Sequence, residues 1–425
     1  MQPLGLTPLG ITRGQPLIGF DAKIIQVLET LICFLSFFLY HLTNNTYLCN
    51  MEKTIGYDAK RIVRNASGLG NYGRTLINDL SKLDVDTRLL LYAPDEGRKE
   101  LREQIVRRNN VAFRYAPCRT RLGKDLWRRR GIVKDLVNDG VQLFHGLSGE
   151  LPTGLRKAGI RSVVTIHDLI FLRHPEYYHP LDVWLYRRKF HATLKEADRV
   201  IAISECTKRD ILYYSHFPED RIDVIYQSCS ARFAQPLDDA DRRKREVWSR
   251  YALPEHFVLN VGTIEPRKNV LLAVKSMSQW PESLHLVIVG RTTPYAREVM
   301  NTARQMGVAQ RVHVLTDVPN DDLMVIYKLA ECFVYPSRYE GFGIPIIEAI
   351  QSGLPVVAAT QSCLEEAGGP DSLYVDPDDA DGLAHAIATA IQERDGRVEA
   401  SRKYVKRFEN TNVAQQVAEV YNRLL

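Results

Sequence analysis

PSRYEGFGIPIIEAIQSG, residues 336–353, decides how the rest of the chain is read. The four residues before it, Cys332–Tyr335 (CFVY), form a short apolar run of the kind that makes a strand buried on both faces. Pro345 stands where a helix accepts proline, in its first turn. Gly353 stands where a helix is closed by a left-handed residue. The stretch therefore predicts a strand, a glycine loop and a helix. The N–H groups of Gly341, Phe342, Gly343 and Ile344 at the start of that helix form an anion site suited to a diphosphate. Glu340 and Glu348 accept hydrogen bonds and do not donate them, so they suit the hydroxyls of a ribose or hexose. The competing reading of Glu348 is a solvated carboxylate that favours the helix dipole.

The same alternation extends in both directions. Upstream, residues 55–57, 87–93, 141–145, 162–167 and 199–204 read as strands, and 70–83 and 182–197 as helices. A charged stretch bracketed by Pro236 and Pro254 reads as a linker or linker helix. Beyond it residues 257–261, 285–289, 312–315, 332–335 and 355–358 read as strands, with helices beginning near Asn269, Pro294, Asp321 and Pro345. Short runs buried on both faces and separated by helices indicate parallel sheets with right-handed crossovers. The expected fold class is α/β, with two Rossmann-like doubly wound domains facing a cleft. The expected divisions are an N-terminal extension over 1–50, an acceptor-side domain over 51–235, a linker over 236–254, a donor-binding domain over 255–408, and a final helix over 409–425 that packs back on the first domain. Ligands in such sheets bind beyond the carboxyl ends of the strands.

Three further constellations lie at such ends. NVGTIEPRKN, residues 260–269, sets Arg267 and Lys268 after a strand, where two fixed cations can hold a diphosphate and stabilise it as it leaves. His167 closes the 162–167 strand, is followed by Asp168, and can donate to a sugar hydroxyl. SGLGNYG, residues 67–73, matches G-x-G-x-x-G, with Asp95 and Glu96 after the next strand. The preceding strand ends about ten residues too early for a dinucleotide fingerprint. The loop therefore reads as a helix N-terminus facing the cleft, with Gly68, Gly70 and Asn71 toward an acceptor or sugar. Asp84 with Asp86, and Asp376 with Asp378, match D-x-D but sit in apparent turns, where aspartate is common. No metal site is expected.

The chain has 425 residues, 45% of them hydrophobic and 25% charged, with a net charge of +5, which suits two soluble cores and argues against a dedicated nucleic-acid binder. Seven cysteines, none in C-x-x-C, suggest reduced thiols in a cytoplasmic protein. A basic stretch spans residues 98–134 and includes Arg98, Arg119, Arg121, Lys124, Arg128 and Lys134, with Leu126 and Trp127 among them. It suits an anionic membrane surface or a lipid-linked acceptor, or else is a solvated helix face. Residues 24–42 are apolar-rich. Three readings stand for this region: a membrane anchor, a surface-lying segment, and an extension upstream of a start at Met51.

Together these residues resemble glycosyltransferase family 4, the retaining enzymes of GT-B architecture, over about residues 53–425. PSRYEGFGIPIIEA matches the family's paired-glutamate motif, with seven residues between Glu340 and Glu348. The resemblance implies that Glu340 contacts the donor hexose, Glu348 the nucleotide ribose, and Arg267 and Lys268 the diphosphate, with His167 near the hexose. The family usually has arginine just after the glycine of GTIEPRKN. Thr263 stands there, which passes that task to Arg267. HDLIFLRHPEYYHP and VIYQSCSARF resemble the bacterial mannosyltransferases that build O-antigen and capsule chains. The implied activity is metal-independent, cofactor-free transfer of a hexose, such as mannose from GDP-mannose, to a glycan or lipid-linked acceptor at the inner face of the cytoplasmic membrane. An NAD-dependent oxidoreductase using the Gly68 loop, and a non-catalytic scaffold of the same fold, remain as alternatives.

Overall fold

The computed structural model describes residues 53–425 apart from 67, 238 and 409. The 1–50 extension with its apolar segment, Cys33 and Cys49, and Ser67 at the head of the glycine loop, lie outside the described residues.

Two parallel sheets carry the chain. The first contains β1 (Thr54–Asp58), β2 (Arg88–Ala93), β3 (Val111–Tyr115), β4 (Leu143–Gly146), β5 (Arg161–Ile166), β6 (Arg199–Ala202) and β7 (Ile222–Val224), in the order β3-β2-β1-β4-β5-β6-β7. The second contains β8 (His256–Val261), β9 (Leu284–Val289), β10 (Val312–Leu315), β11 (Cys332–Tyr335), β12 (Val356–Ala359) and β13 (Leu373–Val375), in the order β10-β9-β8-β11-β12-β13. The central strands β1, β11 and β12 are buried throughout, which parallel strands covered by helices on both faces require. Both sheets wind outward from a central strand and then restart on its other side. The first reverses between β1 and β4 and the second between β8 and β11, and each reversal opens a crevice at the carboxyl ends of the strands.

The fold class is the one the sequence predicts. Three strands, β3, β7 and β13, have no counterpart in the sequence reading, and all three lie at sheet edges. The segment between the sheets is mostly the helix Ala240–Tyr251, whose Arg243 (2.5 Å), Arg250 (2.6 Å) and Tyr251 hydroxyl (2.8 Å) all converge on buried Asp322 of the helix Asn320–Leu329. The last helix, Asn410–Asn422, returns to the first sheet. Its Val413, Val417, Val420 and Tyr421 pack among Ile55, Tyr57, Leu76 and Leu80. Among the described residues no helix is long and apolar enough to cross a membrane, and no cluster of three potential metal ligands occurs.

Candidate active site

The crevice of the second sheet lies between the end of β8 and the end of β11, and the two loops there meet through charge. The loop after β8 tightens into a single turn, Pro266–Lys268, and is followed by Asn269 in the left-handed region (φ +54°). The side-chain amide of Asn269 donates to the Pro377 carbonyl at 2.7 Å and anchors the turn. This arrangement aims Arg267 and Lys268 at Glu340 in the loop after β11. One carboxylate oxygen of Glu340 receives Lys268 Nζ at 2.6 Å and Arg267 Nη1 at 2.8 Å. Arg267 is further engaged by Glu265 (2.7 Å) and by the Tyr339 carbonyl (2.7 Å), and Lys268 donates to the Tyr335 hydroxyl at 2.5 Å. Burial alone would raise the Glu340 carboxyl. Lys268 and Arg267 outweigh it and hold Glu340 down at about 2. Burial works against the charge of both cations, and Glu340 more than compensates in each. Glu340 is therefore ionised throughout the physiological range.

The helix that follows, Ile344–Ser352, begins after Gly343 at φ +120° and ends at Gly353 at φ +90°, the two glycine positions expected from the sequence. No acceptor among the described residues takes the N–H groups of Gly343 and Ile344. Glu348, on the same helix, has a different environment from Glu340. It meets no cation. The Tyr327 hydroxyl donates to it at 3.1 Å, and burial pushes it from its ordinary 4.5 up to about 7. With Ile344 and Pro345 it lines a cavity of about 380 Å³, and Gly68, Asn71 and Thr75 of the first domain line the same cavity.

His167 lies where β5 ends, against the loop of the second domain. Its Nε2 is 2.8 Å from the Leu147 carbonyl, which can only accept, so Nε2 carries the proton and Nδ1 accepts from Gln227 Nε2 at 2.6 Å. The Tyr72 ring meets it edge-on with centroids 4.9 Å apart. Burial pushes it down to about 4 and keeps it neutral. Both ring nitrogens are already bonded, so the expected free donor to a sugar hydroxyl is absent here: the ring is oriented, and its proton is held by Leu147. Asp168 beside it is raised by burial, with an Ile170 N–H at 3.3 Å as partner. The domains touch at the His167 backbone. A Cβ on Gly341 would lie 2.1 Å from the His167 carbonyl oxygen. The Gly341 carbonyl accepts from Ser204 Oγ at 2.7 Å. Glu366 of the second domain accepts the N–H groups of Glu205 (2.7 Å) and Cys206 (2.9 Å), which cap the helix Glu205–Tyr214.

The structure thus brings Arg267, Lys268 and Glu340 into one ion cluster, joins Gly341 to His167, and gives Glu348 and Ile344 a cavity shared with Gly68 and Asn71. Phe342 is buried and stacks on Tyr226. Other expectations are corrected. Gly68 already begins the helix Gly68–Leu83, two residues earlier than predicted. At Gly70 the Cβ side is packed: a Cβ there would lie 1.8 Å from the Asn65 carbonyl oxygen, and one on Gly73 would lie 2.8 Å from Ile62. Those glycines let two helices pack closely, and Arg74 seals the contact by donating to the Ile62 and Asn65 carbonyls and to Asn71 Oδ1. Both D-x-D pairs close turns: Asp84 accepts the Asp86 and Thr87 N–H groups, and Asp376 accepts that of Asp378. The basic stretch is partly consumed by the fold. Trp127 is buried with its N–H on Asp135 (2.6 Å), and Arg102, Arg114 and Lys124 pair with Glu96, Asp139 and Asp95. Sequence reasoning missed Gln227, Glu265, Tyr327 and Tyr335. Gln227 and Glu265 lay inside quoted motifs and Tyr335 closed the quoted CFVY run, and only Tyr327 stood outside every quoted stretch.

Comparison with known proteins agrees with this geometry. Residues 66–229 match the family described as Glycosyltransferase Family 4, and residues 244–409 match Glycosyl transferases group 1. The chain is 30% identical over 300 residues to the O-antigen chain mannosyltransferase B of Escherichia coli, covering 66% of this chain and 74% of that protein. The chain belongs to glycosyltransferase family 4. It is an enzyme of the glycosyltransferase class, and its two sheets form the GT-B fold. The glycosyltransferase also matches the serotype-specific mannosyltransferase WbdA of Escherichia coli, at 28% identity over 299 residues. That match covers 67% of this chain and 36% of WbdA, so the glycosyltransferase spans about a third of that relative. Among solved structures it superposes on Anabaena HepE, determined in complex with UDP and glucose, with a TM-score of 0.68 at 19% identity, covering 88% of this chain and all of that one. Membership of this family displaces the oxidoreductase and scaffold readings.

Proposed function

We propose that this glycosyltransferase moves mannose from GDP-mannose, with retention of anomeric configuration and without a metal, onto the growing glycan of a cell-surface polysaccharide at the cytoplasmic face of the membrane. The observation that carries the reading is the Arg267–Glu340–Lys268 cluster at the switch point of the second sheet. Two cations meet one buried carboxylate, with the part-exposed Glu265 balancing Arg267, beside the N–H groups of Gly343 and Ile344 that begin a helix. A nucleoside diphosphate is an acceptor for those N–H groups and for the cations' remaining donors. Arg267 uses three of its five N–H groups on Glu265, Glu340 and a carbonyl, and Lys268 two of its three on Glu340 and Tyr335, so both cations keep donors to offer a diphosphate. Glu348 takes the ribose hydroxyls. Glu340 and the neutral, oriented His167 border the hexose, the latter through its backbone at Gly341. The acceptor enters from the first domain past Gly68 and Asn71 and attacks from the face the phosphate leaves, and that phosphate takes the acceptor's proton. The HepE complex with UDP supports a nucleotide donor, and the mannosyltransferase relatives support mannose. The basic stretch supports contact with an anionic membrane.

The test is thermal melting of the full chain in EDTA with GDP, UDP, ADP or NAD, followed by transfer assays. A ligand at 100 times its Kd adds about 2.7 kcal/mol to a reversibly folding protein. GDP stabilisation and GDP-mannose turnover in EDTA are expected. Stabilisation by UDP alone changes the donor. Dependence of turnover on an added divalent ion overturns the metal-free reading.

A further inference from the structure

The first sheet has its own switch-point crevice, and its rim is basic. Lys60 and Arg64 stand on the helix Lys60–Arg64 that follows β1, and Pro94 follows β2. With Arg119, Arg121, Lys124 and Arg128 they line a cavity of about 530 Å³ in which Asp125 is the lining carboxylate. Neighbouring acids offset part of this charge. Asp95 pairs with both Arg64 and Lys124 (2.8 Å to the latter), and Arg128 lies between Asp58 (2.5 Å) and Glu150. Lys60, Arg119 and Arg121 have no carboxylate within ion-pair distance among the described residues. Arg128 reaches this crevice from a single π-helical turn, Trp127–Gly131, a local distortion that proteins retain mostly at functional positions. Lys60 is disfavoured as a cation by burial and then by Arg128, so the cavity sets like charges beside each other. The Lys60 helix also carries Arg61, whose charge disfavours the protonated form of His167.

We propose that this cavity binds a phosphate or diphosphate group carried by the acceptor, held by Lys60, Arg119 and Arg121. The proposal rests on the glycosyltransferase reading, in which the first domain receives the acceptor. Fixed cations around a cavity at the carboxyl ends of parallel strands are the chemistry that recognises a phosphate dianion or a diphosphate. Their position in the first domain separates this group from the donor's own diphosphate. The acceptor hydroxyl is then delivered toward His167 while its charged end stays beside β1 and β2.

The experiment is calorimetric titration of the full chain with inorganic pyrophosphate, alone and with saturating GDP or UDP. The variants are Lys60→Ala, the double variant Arg119→Ala/Arg121→Ala, and the remote control Lys403→Ala. Arg119 and Arg121 are exposed, and equal melting temperatures verify that the double variant is folded. Pyrophosphate binding that persists with nucleotide present, and weakens about tenfold for each cation removed, is the expected result. Unchanged binding in the double variant, or none in the wild type with nucleotide present, overturns the proposal. Flotation with phosphatidylcholine vesicles, with and without phosphatidylglycerol, tests the other source of phosphate. If Arg119 and Arg121 control vesicle binding and not pyrophosphate binding, the rim is a membrane surface and the proposal falls. Nucleotide binding in the same titrations reports on the donor site separately. Its absence with variant-dependent pyrophosphate binding intact would remove the donor assignment and leave the cavity.

Discussion

The two switch points of this enzyme share a plan with the charges exchanged. In the second sheet a buried carboxylate, Glu340, is gripped by two cations. In the first a buried cation, Arg128, is gripped by two carboxylates, Asp58 and Glu150. With Glu265 on Arg267 and Lys189 on Glu150 each cluster balances its charges, yet both crevices present cationic donors outward. In the second sheet those donors belong to the cluster itself, through Arg267 and Lys268. In the first they belong to the rim residues Lys60, Arg119 and Arg121, which stand in front of a neutralised floor. A cation built into a cluster is oriented and desolvated and can act on charge that develops during reaction. A cation on an open rim, as Arg119 and Arg121 are, is solvated and serves recognition. On the proposed function, the second crevice carries the chemistry and the first serves binding.

Removing the gripped group at each site breaks the comparison most directly. Glu340→Ala leaves Arg267 and Lys268 buried side by side. Loss of a partner from a buried pair costs about 3–5 kcal/mol, and the misplaced cations should lower kcat/KM by about 10³. Urea unfolding and steady-state kinetics read both effects, and activity within a few-fold of wild type would remove Glu340 from the site. Lys268→Ala should lower turnover by about 10² while raising donor KM much less, because its charge matters most as the diphosphate leaves. An equal change in both constants would make Lys268 an ordinary binding residue. Arg128→Ala should destabilise the fold by about 3 kcal/mol through the unpaired Asp58, with Lys189 still partnering Glu150 (3.1 Å), and should leave GDP affinity unchanged. A fall in GDP affinity would show that the two crevices are one coupled unit, and the division of roles above would fail.

The sequence made the second crevice legible and the first one opaque, for physical reasons. Around β11 every signal is local: an apolar strand, glycines where the backbone needs positive φ, a proline at the helix start, and two glutamates in between. The Arg128 cluster joins residues 58, 128 and 150, which no window of sequence connects, and its arginine sits within a basic stretch that reads as a membrane or acceptor surface or else a solvated helix face. Apart from β10, an edge strand that the sequence still marks, the same rule separates found strands from missed ones. β11 and β12 are buried on both faces and read as apolar runs, whereas β3 and β13 are half-exposed edges, and β3 carries Arg114 among its five residues. His167 was legible as a strand-end residue, but its partners Leu147 and Gln227 come from other loops, so the loss of its free proton could not be foreseen. The glycine motif was misleading because packing Gly70 against Asn65 imposes the same requirement on the sequence as packing glycine against a phosphate.

The smallest predicted effect separates the two glutamates by pH. Glu340, held at about 2, stays ionised. Glu348, raised to about 7 by burial, changes state near neutrality. An ionised Glu348 accepts two ribose hydroxyls and a protonated one accepts less well, so donor KM should fall a few-fold, about threefold, between pH 6 and pH 8. Glu348→Gln should have a higher donor KM and lose that dependence. Stability moves in the opposite direction. A carboxyl whose folded value lies above its ordinary 4.5 binds more protons when folded, so its contribution is greatest below 4.5 and is lost as pH rises to about 7. Glu348→Gln should therefore match wild type near pH 4 and exceed it at pH 8 by on the order of 2 kcal/mol, while Tyr327 still has an acceptor. Glu340→Gln should show the reverse, with a deficit above pH 4.5 that closes as pH falls toward about 2. Parallel stability profiles for the two variants would mean that both carboxyls sit in one electrostatic environment, and the separation of diphosphate and ribose subsites along this helix would have no basis.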